Sequence, residues 1–122
     1  MKYALLIYAS PDERPATPAP ASTAREAWLD YTVALKEAGA VVAAEQLRAT
    51  DTATTVRLSE GERLLTDGPF AETKEHLLGF YLLDVPDLDT ALDWAARMPI
   101  MPFGTVEVRP VEEGGAWRAP LE

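Results

Sequence analysis

Three observations in the sequence predict an α+β fold. Residues 2–9 and 76–85 are apolar at nearly every position rather than alternating, which marks two strands covered on both faces. Each is followed by a stretch with helical spacing of apolar residues, over 23–38 and 88–98. Between the two halves lies a pair of short strand-like runs around a tight turn. The order is therefore β-α-β, a hairpin, then β-α-β: a split βαβ, or ferredoxin-like βαββαβ, with a β-hairpin insertion. That fold places its first and third core strands centrally and its second and fourth at the edges. The apolar pattern agrees, so the expected order of the core strands is 4-1-3-2 with both helices on one face.

The elements follow in turn. The first strand, KYALLIYA, stops at Ser10-Pro11. Residues 11–22 carry four prolines, at 11, 15, 18 and 20, and no periodicity; an extended surface loop is expected, stiffened by the fixed proline φ. Thr23-Ala24-Arg25-Glu26 has the spacing of a capping box, which predicts that the first helix starts there. Its buried face is read as Ala27, Tyr31, Ala34, Leu35 and Ala38, its wet face as Arg25, Glu26, Asp30, Lys36 and Glu37, and Gly39 is its stop. Residues 41–47 form a second strand, and 53–58 with 62–66 a hairpin around Ser59-Glu60-Gly61. Asp87 caps the second helix, whose stripe is Leu88, Ala91, Leu92 and Ala95, and Pro99 forbids its continuation. Trp94 lies off that stripe and is read as an edge or subunit contact. Residues 104–111 alternate, with Val106 and Val108 on one side, as a half-exposed strand does. The expected domain is 1–111, including the proline-rich loop 11–22 and the hairpin insertion 53–66, followed by a loosely ordered tail over 112–122.

Composition bounds the chemistry. A chain of 122 residues with 48% hydrophobic residues is one domain and buries enough surface to fold without staples. Absence of cysteine excludes disulfides, thiol chemistry and thiolate metal sites. A net charge of −9 would repel a phosphate backbone, so no nucleic-acid partner is expected. No apolar run is long enough to span a bilayer and no signal-like start precedes one; the expectation is a cytoplasmic protein with no membrane partner. No G-x-S-x-G, G-x-G-x-x-G or P-loop occurs, so no cofactor is expected. With His76 the sole histidine, no metal is expected either. An antiparallel sheet needs one covered face; two-sided apolarity in its central strands asks for a second cover, and another copy of the chain is the simplest. A homodimer through the free sheet face is therefore expected.

One segment stands apart. Residues 66–75 read TDGPFAETKE, an island of charge and turn residues between apolar strands. Asp67-Gly68-Pro69 is a turn by composition, since Asp accepts local backbone donors, Gly permits unusual φ and Pro bars helix at Gly68. Phe70 would anchor the loop into the core. The segment reads either as a structural corner or as one wall of a pocket formed by Asp67, Lys74 and His76. In the second reading Lys74 supplies a point charge for a carboxylate or enolate oxygen, His76 accepts or donates a proton, and Asp67 braces the loop.

The same ten residues resemble the DGPF branch of the YCII-related family, and the likeness extends through residues 1–8, 81–89 and 106–110. That resemblance implies a ferredoxin-like fold assembled as a dimeric α/β barrel, with the pocket opening near the barrel end. Members of the branch are often encoded beside extracytoplasmic-function sigma factors, so the resemblance implies a transcription-regulatory partner by association. YCII relatives proposed to be enzymes resemble one another in a His on the first helix and an Asp before a Pro near the end of the second. Here Trp28 and Tyr31 stand in the first neighbourhood, and Met98 precedes Pro99. His76 stands where the DGPF branch commonly has Gln or another polar residue. Two functions stay open: binding of a small polar molecule at the dimer cleft in a sensing or accessory role, or metal-independent proton transfer, elimination or lyase chemistry using His76 and Lys74.

Overall fold

The structure is a computed structural model that describes residues 1–11 and 21–118. Strand β1 (Lys2–Ala9) leads to helix α1 (Ala21–Glu37) and strand β2 (Val41–Gln46). A single 3₁₀ turn (Thr50–Thr52) precedes the hairpin of β3 (Thr54–Ser59) and β4 (Glu62–Asp67), after which come β5 (His76–Asp84), α2 (Leu88–Ala96) and β6 (Gly104–Pro110). The main sheet has the order β2-β5-β1-β6, antiparallel throughout, and β3-β4 is a separate two-stranded sheet. This is the ferredoxin-like α+β arrangement, with the two both-parity apolar strands central as their composition requires. Most of the loop expected over 11–22 lies outside the described residues, as does the end of the tail.

The core is built from one parity of the central strands. Tyr3, Leu5 and Ile7 of β1 and Tyr81 and Leu83 of β5 pack against Tyr31 and Leu35 of α1 and Ala91, Ala95 and Met98 at α2. The opposite parity, Ala4, Leu6, Tyr8, Phe80 and Leu82, lies on the other sheet face and is only half-buried. β6 alternates as expected, with Val106 and Val108 against the core.

Four local expectations are corrected. α1 begins at Ala21, so Thr23 lies inside the helix and is not its cap; the strong helix formers Ala21 and Ala24 carry the helical conformation past the capping-box position. Its buried residues are Tyr31 and Leu35, flanked by half-buried Trp28, Thr32 and Ala34, whereas Ala27 and Ala38 are exposed. The stripe is set by the bulky side chains at i, i+3, i+4 and i+7, which reach the sheet where alanine cannot. On α2, Ala91 and Ala95 are buried but Leu88 and Leu92 are exposed, because the small residues let the helix approach the sheet closely. Trp94 packs on the core beside Tyr31.

Two turns show why the chain reverses where it does. Glu60 (φ 51°) and Gly61 (φ 82°) both adopt the left-handed conformation that a two-residue hairpin turn of the right twist demands. Asp87 accepts the Thr90 N–H at 2.8 Å and the Thr90 hydroxyl at 2.7 Å, which caps α2 as predicted.

Candidate functional site

A cavity of about 630 Å³ lies between α1 and the β2–β5 edge of the sheet. One wall is the inner side of α1, with Arg25, Trp28, Leu29 and Thr32; the other is β2 and β5, with Ala44, Glu45, Gln46, Leu78 and Tyr81. Ile7 and Ile100 complete the apolar lining. Strand β5 makes room for it through a bulge: Ile7 pairs with Gly79 and Tyr8 with Leu77, leaving Leu78 as the extra residue that packs against the core. Gly79 is required there, since a Cβ would overlap the Glu45 carbonyl oxygen on β2.

The cavity wall is continuous with an aromatic cluster. The Trp28 and Tyr81 rings lie nearly parallel, 18° apart with centroids 6.2 Å apart, and Tyr31 meets both edge-on at 6.3 and 5.5 Å. Trp94 closes the cluster against Tyr31 at 6.0 Å, and the Arg97 guanidinium sits 4.3 Å above the Trp94 ring. The hydroxyl groups are engaged. Tyr31 donates to the Trp94 carbonyl at 2.7 Å, Thr32 donates to the Trp28 carbonyl at 2.9 Å, and Thr32 Oγ1 and Tyr81 Oη are 2.7 Å apart. Burial pushes the Tyr31 hydroxyl well above the ordinary phenol range, with the neighbouring Tyr81 acting in the same direction.

The segment 66–75 lies elsewhere. Lys74 lines a shallow surface depression with Tyr8, Thr73 and Glu75. His76, at the start of β5, is half-buried with Nδ1 3.5 Å from Thr50 Oγ1. Asp67 ends β4 opposite Thr54 and is exposed. Neither Asp67 nor His76 lines the depression that holds Lys74. The loop is braced by Gly68, whose N–H donates to the Ala53 carbonyl at 2.7 Å and whose carbonyl accepts the Thr55 hydroxyl at 2.8 Å. Among the described residues the Asp67 carboxylate forms no hydrogen bond. Phe70 does not reach the core: it is 72% exposed, with the Arg57 guanidinium 4.7 Å from its ring centroid. The connection between β4 and β5 spans eight residues, 68–75, and its third, Phe70, lies against Arg57 of the hairpin rather than on the core.

The family model of the YCII-related domain matches residues 1–114. The chain belongs to the YCII-related family. An uncharacterised protein of Rhizobium meliloti (strain 1021) is 49% identical over 77 residues, a stretch that makes up 62% of this chain and 62% of that relative. In this YCII-related chain the α1 side of the cavity is faced by Trp28 and Thr32. The sequence does not single out the cavity, because Tyr81 lies inside the apolar run 76–85 and Trp28 lies off the stripe read for the first helix. The signal was there in spacing: Trp28 and Thr32 are one helical turn apart, and Tyr81 shares the parity of Leu83 on the helix-facing side of β5. No described helix is long and apolar enough to cross a membrane, and among the described residues no cluster of three or more His, Cys, Asp or Glu could hold a metal ion.

Proposed function

We propose that this YCII-related protein binds a small molecule in the cavity between α1 and the β2–β5 edge and acts as a sensing or accessory protein. The observation that carries the reading is the cavity itself: about 630 Å³, walled by Trp28, Tyr81, Ile7, Leu78 and Ile100 and carrying few polar groups. That size and lining are those of small-molecule sites in general. Binding is favoured over turnover by the state of the hydroxyls. Thr32 and Tyr31 spend their protons on backbone carbonyls, and Tyr31 holds its proton far beyond neutral pH. Neither is poised to move one.

A ligand-observed NMR screen of small aromatic and aliphatic fragments tests this. Hits on the wild-type protein should vanish with Ala44→Phe, which fills the cavity from β2 and leaves the rest of the surface unchanged. Hits that persist in the filled variant would sink the reading.

The protein acts as a homodimer in this proposal, a second copy covering the sheet face that carries Leu6, Phe80 and Leu82. Tyr8, on that face, shares its surface depression with Lys74. Covering the face would turn the depression into a cleft, which is where the pocket of Lys74 and its neighbours would form.

A further inference from the structure

We infer that the cavity selects an aromatic carboxylate bearing a hydrogen-bond donor, an amine or hydroxyl, on its ring. The inference rests on the binding reading above and deepens it. It comes from the sense of one hydrogen bond. Thr32 Oγ1 lies 2.9 Å from the Trp28 carbonyl, and a carbonyl can only accept, so the single Thr32 proton is committed there. The 2.7 Å contact between Thr32 Oγ1 and Tyr81 Oη must then be made with the Tyr81 proton. Both hydroxyl protons on this wall are consumed within the protein. What the pair has left to offer a ligand is lone pairs, and a buried acceptor favours a ligand that supplies an N–H or O–H and penalises one that supplies only an acceptor.

The other end of the site carries the opposite character. Arg25, one turn before Leu29 on the exposed rim, is the one cation lining the cavity, and among the described residues no carboxylate pairs with it. A guanidinium presents five donors in a fork that matches a carboxylate. Between the two lie Trp28 and the apolar side chains, which suit a flat ring. An anionic group at Arg25, an aromatic body and a donor at Tyr81 together define the class.

Calorimetric titration of the full-length chain with 4-aminobenzoate, 4-nitrobenzoate and aniline tests it. The amine donates and the nitro group only accepts, so 4-aminobenzoate should bind about tenfold or more tightly than 4-nitrobenzoate. It should exceed aniline by a similar factor, and Arg25→Gln, at an exposed position, should erase that second difference. Thr32→Val is the decisive variant, because it frees the Tyr81 proton for the ligand: the preference for amine over nitro should shrink or reverse. A purely structural role for Thr32 would weaken both probes alike and overturn the inference. Equal binding of 4-aminobenzoate and 4-nitrobenzoate to the wild type, or failure of all three probes to bind, would also overturn it. The fragment screen with Ala44→Phe stands independently, so fragments seated in the cavity without donor dependence would remove the ligand class and leave the binding reading intact.

Discussion

Tyr31 joins three parts of the molecule through its ring and one hydroxyl. It is buried to 5% exposure, stacks edge-on against Trp28, Tyr81 and Trp94, and ties α1 to α2 through the Trp94 carbonyl. That carbonyl also accepts the Arg97 N–H at 3.2 Å, so Tyr31→Phe would leave it with one partner rather than none. The expected cost is therefore at the low end for a buried hydrogen bond, about 1 kcal/mol in chemical denaturation. A pH effect accompanies it. An unfolded tyrosine loses its proton near pH 10, whereas folded Tyr31 keeps it well beyond. Above about pH 10 the unfolded state therefore binds fewer protons than the native one, and stability falls as pH rises. Thermal unfolding across the alkaline range should show this limb in the wild type and a shallower one in Tyr31→Phe. Asp87 acts at the other end of the scale. The Thr90 hydroxyl and N–H hold its carboxyl below the usual carboxylate range, so its contribution is complete above the unfolded value and fades as pH falls through the lower folded one. Asp87→Asn keeps a good cap but cannot titrate. Its melting temperature should match the wild type at neutral pH more closely than Asp87→Ala does, and should depend less on pH on the acid side.

At the scale of elements, the hairpin is the outlier. Its strands are exposed along nearly their whole length, with Val56, Leu58, Leu64 and Leu65 all in contact with solvent. A lone two-stranded hairpin is marginal in water, so its stability rests on its turn and on cross-strand pairs such as Val56 with Leu65. Gly61→Ala forces a Cβ into the left-handed region and should cost the hairpin about 1 kcal/mol, while Glu60→Asn should stabilise it. Amide exchange at Thr55 and Thr66, which face each other in a hydrogen-bonded pair of the ladder, is the measurement, since the hairpin can open without the main sheet. Opposite changes at those amides, with the β1 and β5 amides unmoved, are expected. If both variants shift all amides together, the hairpin folds as part of the sheet.

For the whole molecule the open question is the second sheet face. Ala4, Leu6, Tyr8, Phe80 and Leu82 make a central apolar band, flanked by Glu107 and Arg109 on the β6 side and Glu45 on the β2 side. Leu6 and Phe80 are direct partners across β1 and β5. Closing two such faces would bury an obligate-class interface, on the order of 2,000 Å² in total. Sedimentation at micromolar concentration should find a dimer, and Leu6→Glu should give a monomer or lower the melting temperature sharply. A wild-type monomer at that concentration would refute the assembly. Net charge does little to oppose it, because the loops and outer helix faces that carry most of the charge are well screened.

The sequence by itself determined the order of elements, the central place of β1 and β5, the hairpin and its turn, the Asp87 cap and the alternating edge strand. Each of these is decided by local patterning: parity on a strand, spacing on a helix, or a residue whose φ or side chain suits one turn. It also carried the family, through the uninterrupted motif at 66–75. Which residues meet is a different matter. Phe70 looks like an anchor along the chain and is exposed in space, and Leu88 and Leu92 look buried until alanines draw α2 close to the sheet. The cavity depends on Trp28 from α1, Leu78 from a bulge and Tyr81 from β5, separated by fifty residues. Its hydrogen-bond sense depends on which carbonyl Thr32 reaches. Periodicity says which face a side chain takes; only the packed structure says what stands opposite it, because the distance between two faces is set by every residue between them.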